Sequence, residues 1–442
     1  MPSIPINEFK LRREQLLAKL ADNSLVVMSA AKEVTRSRDT DYAFRQNSDF
    51  HYLTGFPEPD AWLILEKVGG VTKTSLICRV KDKTAEIWQG RRIGKDQAKQ
   101  QYQFDYTASL DELESVLKTS LNNKDVLYWS QGDDESTDKQ VFSLLAQLRS
   151  SARMGLTAPN KQIDVRPLIH EMRLYKSANE INVMKSAGEI SAAAHCRAMR
   201  FSATQVKLNK PVFEYQLEAE IHHHFAMNNA RFPAYGTIVG GGDNACILHY
   251  TENQDQIKPT DMVLIDAGCE LEGYAADITR TFPVNGKFSP EQKVIYQLVL
   301  NAQQAVFSAI KPGVTLSELT SISVKVITSG LLELGILTGD INTVLTQNAH
   351  RAYYMHGLSH WLGLDVHDVG NYNIEGDARP LEAGMVFTVE PGIYIDADSN
   401  CDSKWHGIGV RIEDNIVITE DGFINLTDSV PKTVEEIESL MA

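Results

Sequence analysis

The stretch that most constrains this chain is residues 261–283, DMVLIDAGCELEGYAADITRTFP, in which two aspartates lie among residues that favour burial. Two apolar runs flank a polar turn at residues 269–273, a pattern that predicts a β-hairpin. Asp266 and Asp277 are eleven positions apart. Because strand side chains alternate with period two, a hairpin loop of even length places both carboxylates on one face.

Two carboxylates on one half-buried face repel each other, so one of them would have to bind a proton. A hard cation bound between them removes that repulsion. The alternative from this segment alone is a hairpin whose aspartates cap turns or pair with Arg280. The segment therefore leaves two hypotheses, a metal site and a structural pair of aspartates.

Length and charge exclude several classes of partner. The chain has 442 residues, with 43 Lys and Arg against 58 Asp and Glu, and a formal charge of −15. This charge argues against nucleic acid or anionic lipid as the main partner. Because we find neither a signal-peptide core nor a run of roughly 18 apolar residues, we expect a cytoplasmic protein that does not contact membranes. The five cysteines include no CxxC pair, which predicts free thiols.

Residues 1–172 alternate short apolar runs with helical patterns and are predicted to form an α/β domain. The expected strands lie at residues 25–29, 62–65, 75–80, 86–88 and 126–129, and the expected helices at residues 7–20, 110–121 and 139–148. We find no catalytic motif in this domain. Residues 38–56 and Trp88 could form an interface, and we expect the domain to serve oligomerisation or substrate access.

Residues 173–442 show one order of elements twice, two helices followed by strands, which predicts an α+β domain with an internal pseudo-two-fold duplication. Ser177 and Glu180 form a capping box that begins the first helix, and Ser289 and Pro290 begin the third. The other expected elements are helices at residues 212–227 and 316–334 and strands at residues 235–239, 245–250, 385–395 and 409–418.

A metal on the first hairpin needs further ligands from the strands of the second half. Glu390 lies in MVFTVEPGIY and Glu413 in GVRIEDNIVI, apolar runs in which an uncompensated carboxylate is costly. His360 lies in MHGLSHWLGLDVHD, among three histidines. Taken singly, Glu413 could pair with Arg411, and His360 could be a core imidazole bonded to a carbonyl.

Taken together, four carboxylates and one histidine suit two divalent cations. The four negative charges of these ligands balance two doubly charged ions, whereas a single ion leaves an imbalance in a buried place. Oxygen ligands with one imidazole indicate manganese or a similar ion rather than structural zinc.

Four further motifs point to a family. DAG followed by DITRTFPVNGKF, HGLSHWLGLDVHDVG, TVEPGIY and GIGVRIEDNIVIT resemble the metal-binding signatures of the pita-bread metallopeptidases, and especially of the proline-specific aminopeptidases among them. RQNSDFHYLTGF resembles the N-terminal domain of the same family. The similarity spans nearly the whole chain and implies a pita-bread fold, two curved half-sheets backed by helices.

The resemblance implies a role for each matched residue. The family's metal ligands fall on Asp266, Asp277, His360, Glu390 and Glu413. By analogy, Asp277 and Glu413 bridge two manganese ions, Asp266 holds one of them, and His360 and Glu390 hold the other.

The resemblance also implies the residues around the ligands. His249, His356 and His367 are expected to line the substrate cleft. Arg411 and Tyr394 are expected to support the ligands and the substrate from behind.

The implied activity is hydrolysis of the N-terminal Xaa-Pro bond of peptides whose second residue is proline. Two divalent ions roughly 3.5–4 Å apart hold a bridging water and lower its pKa, which yields a hydroxide for attack. Glu390 is expected to accept and pass on the proton, and His249 or His356 to donate to the oxyanion. Trp361, His367, and aromatic residues of the N-terminal domain such as Trp88 are expected to hold the proline ring.

Alternatives remain at this point. An Xaa-Pro dipeptidase uses the same five ligands but cuts only dipeptides, so a tripeptide substrate separates the two enzymes. A binding protein that has lost catalysis on the same scaffold is the alternative from a different class. The resemblance further implies a homo-oligomer, a dimer or a tetramer.

Overall fold

The computed structural model describes residues 2–442 and divides them into two compact units, one of Ile4–Arg173 and one of Leu174–Ala442 together with residues 2–3. None of the helices in these residues combines the length and the apolarity that crossing a membrane demands. The five cysteines in the described chain are unbridged, as predicted.

The first unit is built on a mixed sheet with helices packed against it. Its helices are α1 Ile6–Lys19, α2 Ser48–Thr54, α3 Lys83–Gln89, α4 Lys95–Tyr102, α5 Leu113–Leu121, α6 Glu135–Ser150 and α7 Arg166–Leu174. Its strands are β1 Ser24–Ser29, β2 Thr35–Ser37, β3 Thr40–Asp41, β4 Trp62–Val68, β5 Val71–Cys78, β6 Tyr106–Ser109, β7 Val126–Trp129 and β8 Lys161–Asp164.

The main sheet of this unit has the strand order β6-β5-β4-β1-β7-β8. Strand β1 pairs antiparallel with β4 and parallel with β7, so buried side chains such as Leu25, Val27, Leu127 and Trp129 enter one core. The strand predicted at residues 86–88 is wrong, because these residues belong to α3. The carboxylate of Asp82 accepts a hydrogen bond from the Ala85 amide at 2.7 Å and begins that helix.

The second unit contains two long helix pairs and two groups of strands. Its helices are α8 Ala178–Lys207, α9 Glu214–Met227, α10 Pro290–Phe307, α11 Leu316–Glu333, α12 Ile341–Thr346 and α13 Val434–Met441. Its strands are β9 Val212–Phe213, β10 Phe232–Pro233, β11 Ile238–Gly241, β12 Gln256–Ile257, β13 Met262–Asp266, β14 Cys269–Leu271, β15 Tyr274–Ala275, β16 Thr279–Pro283, β17 Asn373–Ile374, β18 Asp377–Ala378, β19 Val386–Val389, β20 Gly392–Ile395, β21 Ile408–Arg411, β22 Asp414–Ile418 and β23 Phe423–Asn425.

The duplicated order of elements is present in this unit. Helices α8 and α9 precede the sheet β11-β13-β16, and helices α10 and α11 precede the sheet β19-β22-β23 and the pair β20-β21. The capping box at the start of α8 forms as predicted, since Ser177 Oγ accepts from the Glu180 amide and Glu180 Oε2 accepts from the Ser177 amide.

Three predicted strands differ from the structure. Residues 245–250 form no strand, because the Asn244 side chain donates to Glu214 and Tyr250 and keeps this segment in turns. The strands expected at residues 385–395 and 409–418 are each broken in the middle. Pro391 has no amide hydrogen with which to continue the first ladder. In the second, the Glu413 amide donates to the Thr279 carbonyl of the other half at 3.1 Å.

Candidate metal centre

The four predicted carboxylate ligands lie where strands end or break. Asp266 is the last residue of β13, and Asp277 lies in the gap between β15 and β16. Glu390 lies in the gap between β19 and β20, and Glu413 in the gap between β21 and β22. These gaps free short stretches of backbone from the ladder, so the side chains can turn towards one point.

The first hairpin is more irregular than the sequence indicated, but its two aspartates do share a face. Asp266 pairs with Thr279 across β13 and β16, and Asp277 lies two residues before Thr279, so both carboxylates point the same way. Between them the chain is crowded at Gly268, where a Cβ would lie 1.7 Å from the Ala276 carbonyl oxygen. Only glycine fits this close approach.

The predicted ligands meet around one cavity of about 480 Å³. Ligand atoms of Asp277, His360 and Glu413 all lie within 4.8 Å of one another. The Nε2 atom of His360 is 3.4 Å from Asp277 Oδ2 and 3.4 Å from Glu390 Oε1. Asp266 lines the same cavity. The structure therefore brings all five predicted ligands together.

Crowding of buried carboxylates shifts their protonation. Burial, followed by the charge of Asp266, raises the pKa of Asp277. Burial and the neighbouring carboxylates raise the pKa of Glu413 well above its ordinary value, and burial raises the pKa of Glu390 to about 7. Burial alone would lower the pKa of His360, but Asp277 and Glu390 raise it to about 9. Without a cation, the cluster binds protons instead.

The side chains present fit divalent cations. Thr279 Oγ1 donates to Glu413 Oε2 at 2.6 Å, while the buried Oε1 of Glu413 has no hydrogen-bond partner within residues 2–442. The Nδ1 atom of His360 donates to the Trp361 carbonyl at 3.0 Å, so Nε2 faces the carboxylates. An imidazole oriented this way, with oxygen ligands around it, is the arrangement of a metal site.

A second layer supports the ligands. Arg411 donates to Asp266 Oδ2 at 2.6 Å and to the Tyr394 hydroxyl at 2.9 Å. The Tyr394 hydroxyl lies 2.8 Å from His356 Nε2, and His356 Nδ1 lies 2.7 Å from the Gly357 carbonyl. Because the carbonyl only accepts, Nδ1 carries the proton and Tyr394 donates to Nε2. Burial and Arg411 lower the pKa of His356 to about 3, so this histidine is neutral.

The predicted histidines lie at the cavity, but two predicted substrate contacts of the same unit do not line it. His249 and His367 line the cavity beside His356. Trp361 is fully buried in the core, stacked on Tyr372, so assigning its ring to the proline pocket is wrong.

Tyr394 is the second predicted substrate contact of this unit that does not line the cavity. Tyr394 is 2% exposed behind His356 and supports the site rather than lining the cavity. Trp88 belongs to α3 of the other unit and is 83% exposed. A role for it in substrate binding stays a prediction.

Sequence reasoning missed Tyr235, whose hydroxyl is 2.6 Å from Asp266 Oδ1 and 2.5 Å from Asp277 Oδ1. A hydroxyl that donates to one carboxylate and faces a second holds the pair in place. No local pattern marks this residue, because it lies outside the hairpin. Thr279 was also missed, although it lies two residues after Asp277, where period-two alternation places it on the same face.

Replacing Tyr235 with phenylalanine is expected to lower the affinity of the chain for Mn²⁺ by about 10- to 100-fold, the range found when groups that orient metal ligands are removed. The matched control is Tyr215→Phe, because Tyr215 is a half-exposed residue of α9. Isothermal titration of metal-free protein with Mn²⁺ measures both variants. Equal affinities for the two variants would contradict the assignment.

Removal of metal is expected to make stability strongly dependent on pH. In the metal-free chain the pKa of Glu390 is about 7 and that of His360 about 9, both above their values in an unfolded chain, roughly 4.3 and 6.5. The folded chain therefore binds more protons, and its free energy of unfolding falls as pH rises from about 4.5 to about 9.

Thermal unfolding with chelator and with Mn²⁺, at about pH 6 and about pH 8.5, tests this dependence. We expect the increase in Tm on adding Mn²⁺ to be larger at the higher pH, because fewer protons then compete for the ligands. Glu390→Gln should flatten the lower part of the pH dependence of the metal-free chain. A metal-free Tm that rises over this range would refute the prediction.

Comparisons with known proteins agree with this geometry. Residues 182–420 match the model of metallopeptidase family M24, and residues 9–128 match the aminopeptidase P N-terminal domain. The chain is 51% identical over its whole length to the Xaa-Pro aminopeptidase of Escherichia coli (strain K12), covering 99% of that protein. It is 45% identical to the Xaa-Pro aminopeptidase of Haemophilus influenzae, covering 98% of it.

Solved structures also match the fold of the chain. A glutamate-to-alanine variant of Escherichia coli aminopeptidase P in complex with substrate matches with a TM-score of 0.96 at 51% identity, over 99% of this chain and 98% of that one. The zinc-substituted Escherichia coli enzyme in complex with product matches with a TM-score of 0.95 at 51% identity and the same coverage. These matches confirm the fold class that the sequence motifs implied.

Proposed function

The chain belongs to metallopeptidase family M24, and on that premise we propose that it is an Xaa-Pro aminopeptidase. It is a metal-dependent hydrolase that removes the N-terminal residue of a peptide whose second residue is proline. The observation that carries this function is the convergence of Asp266, Asp277, His360, Glu390 and Glu413 on one cavity, in a chain that matches such enzymes over its full length.

The proposed metal ligands are those five side chains, which would hold two divalent ions. We assign manganese to the site because four oxygen ligands and one imidazole suit a hard divalent ion. When bound, such ions supply Lewis acidity towards a carbonyl and lower the pKa of water. Asp266 also offers a carboxylate to the free amine of the substrate, which would make the enzyme act from the N-terminus.

Glu390 is the proposed proton carrier. Burial raises its pKa to about 7 in the metal-free chain, which supports a carboxylate able to accept a proton here, and its Oε1 lies near His360 and Thr388. In the reaction its carboxylate takes a proton from the attacking water and delivers it to the proline nitrogen as that nitrogen leaves.

His249 is the proposed donor to the oxyanion. Both ring nitrogens of His356 already bond within the chain, to Gly357 and Tyr394. His356 therefore positions Tyr394 and Arg411. His249, which lines the cavity, is then the histidine that can donate a hydrogen bond to the developing negative charge.

Selection of proline is proposed to depend on the cavity wall. Proline lacks the amide hydrogen that a general aminopeptidase can bind, and its ring fixes φ. Apolar side chains of Ile238, Leu248 and Val366 line the cavity together with His367. They offer a surface against which a rigid ring packs without the loss of a hydrogen bond.

We also propose that the protein assembles as a dimer or a tetramer. Helix α3 of the first unit exposes Ile87 and Trp88, at 78% and 83%. Large exposed apolar side chains of this kind often mark contact surfaces. Sedimentation velocity on the intact chain and on Trp88→Glu measures the assembly, and a monomeric intact chain would remove the proposal.

The test of the function uses protein stripped with chelator and reloaded with manganese, zinc or cobalt. The reloaded enzyme is expected to release glycine from Gly-Pro-Ala and to leave Gly-Ala-Ala intact. Cleavage of Gly-Pro with no cleavage of Gly-Pro-Ala would instead identify an Xaa-Pro dipeptidase. Failure of the metal-loaded protein to cut any of these peptides would leave only a binding function.

A further inference from the structure

A second cavity, of about 580 Å³, adjoins the catalytic one. His356 and Gly357 line both cavities, so the two share a wall. The rest of the second cavity is formed by α11, by residue Leu345 of α12, and by the segment that leads from α12 to His356. It is large enough for the end of a short peptide.

The lining of this second cavity is cationic. Lys325 and Arg351 both line it, and its lining within residues 2–442 contains no aspartate or glutamate. Neither cation forms an ion pair or a side-chain hydrogen bond within the described chain. In a protein with a formal charge of −15, two unpaired cations at one cavity create a local positive potential.

The remaining polar groups narrow the choice of ligand. The hydroxyls of Thr320 and Ser321 donate to carbonyls of their own helix, at 2.8 and 2.9 Å, so they are not free donors. Lys325, Arg351 and the Asn348 amide therefore remain as donors. Donors of this kind, and no acidic acceptor, suit an anion, and a guanidinium suits a carboxylate.

A buried histidine in the wall of the second cavity is a further observation, independent of the cations. His350 is 6% exposed in the wall of this cavity, and its Nδ1 atom has no hydrogen-bond partner within residues 2–442. Most buried polar atoms are hydrogen-bonded, so a water or a ligand in this cavity would supply the partner that this atom lacks.

We propose that this second cavity is a subsite for a carboxylate carried by the part of the peptide that follows the proline. The inference rests on the proposed aminopeptidase function. A substrate longer than a dipeptide must extend out of the catalytic cavity beyond the cleaved bond, and each extended residue spans about 3.3–3.6 Å. Because the two cavities share a wall, the cationic cavity lies close to where these residues leave the catalytic cavity. The carboxylate is either the C-terminal one or that of an acidic side chain.

The test compares Gly-Pro-Ala-Ala with its C-terminal amide, using the intact metal-loaded enzyme. For the wild type we expect a KM about 10-fold lower for the free acid, with similar kcat, because the charge pair forms away from the bond being cut. The double variant Lys325→Ala/Arg351→Ala should lose this preference while it cleaves the amide as the wild type does. Lys185→Ala, an exposed lysine of α8, is the matched control and should keep the preference.

Two further comparisons identify the source of the carboxylate. Extending the acid and amide pair from three to six residues should show the length at which the preference appears. Comparing Gly-Pro-Glu-Ala amide with Gly-Pro-Gln-Ala amide tests an acidic side chain. A preference in either comparison that depends on Lys325 and Arg351 supports the subsite.

The outcomes that would overturn the subsite differ from the outcome that would overturn the proposed aminopeptidase function. Cleavage of all these peptides with equal KM for acid and amide, and for Glu and Gln, overturns the subsite and leaves the aminopeptidase intact. A preference for the free acid that the double variant retains would also overturn the subsite. A preference that inorganic phosphate fails to weaken by competition would do the same. Cleavage of none of the peptides overturns the proposed function.

Discussion

Replacing Asp277 with asparagine is expected to lower kcat/KM for Xaa-Pro peptides by about 10³-fold or more, the scale on which loss of an electrostatic catalytic group acts. The reason is its position, since its carboxylate contacts Tyr235 and lies 3.4 Å from His360 in the group that includes Glu413. An asparagine keeps the shape but removes the charge that a shared divalent ion needs. Steady-state kinetics with Gly-Pro-Ala measures the effect.

The control for this variant is Asp377→Asn, the same substitution at an exposed residue of the β17-β18 hairpin. It should leave kcat/KM within about two-fold of the wild type. Stability separates loss of function from loss of fold. Because the pKa of Asp277 is raised by burial and by Asp266, removing its charge should not lower the Tm of the metal-free chain. Near-normal activity of Asp277→Asn would refute the assigned role.

The second large effect concerns stability. Replacing Asp414 with alanine is expected to cost about 3–5 kcal/mol of unfolding free energy, because it leaves the buried Arg280 and the partly buried Lys432 without their partner. Asp414 is fully buried and accepts hydrogen bonds from Arg280 at 2.8 Å, Lys432 at 2.7 Å, Thr427 at 2.9 Å and Gln303 at 3.0 Å. Urea unfolding of metal-loaded protein measures the loss.

The control is Lys293→Ala, which removes an exposed ion pair with Glu435 at 3.7 Å and should cost less than about 1 kcal/mol. The effect of Asp414 also has a predicted pH dependence. Although burial acts to raise it, Arg280 and Lys432 lower the pKa of Asp414 below its unfolded value. Its contribution is therefore complete above roughly pH 4 and disappears as pH falls through the folded pKa. A cost similar to that of Lys293→Ala would contradict this account.

The buried ion pair of Asp414 also affects the backbone at a predicted metal ligand. Arg280 also donates to the Glu413 carbonyl at 2.6 Å, and Glu413 immediately precedes Asp414. The buried ion pair thus fixes the gap between β21 and β22 in which a predicted metal ligand lies. Stability and the position of a ligand are coupled at this point.

Much of the site could be predicted from the sequence, because its carboxylates lie in apolar segments that favour burial. Asp266 and Asp277 in apolar runs eleven residues apart indicated one shared face, and Glu390 and Glu413 were marked by the apolar segments around them. Such residues are costly unless a partner compensates them. The sequence pattern could not show that each lies in a break between strands, because these breaks depend on contacts between the two halves, such as Glu413 with Thr279.

The errors have the same physical origin. Trp361 was assigned to the substrate pocket because of its neighbours in sequence, yet it packs on Tyr372 and Phe387 in the core. Adjacent residues point in different directions, so proximity to His360 says little about where a ring lies. Tyr235 was missed because a contact across 31 residues leaves no local pattern. The helix at residues 83–89 was missed because its cap at Asp82 outweighs a weak strand preference.

The central claim is that five side chains from two halves of one domain hold two metal ions that hydrolysis requires. The most direct test is to titrate chelator-treated protein with Mn²⁺ and to count bound ions by elemental analysis while measuring release of glycine from Gly-Pro-Ala. We predict two ions per chain, with full activity only when both are bound, and fewer than two in Asp277→Asn. Full activity with no bound ion, or two tightly held ions in Asp277→Asn, would contradict the claim.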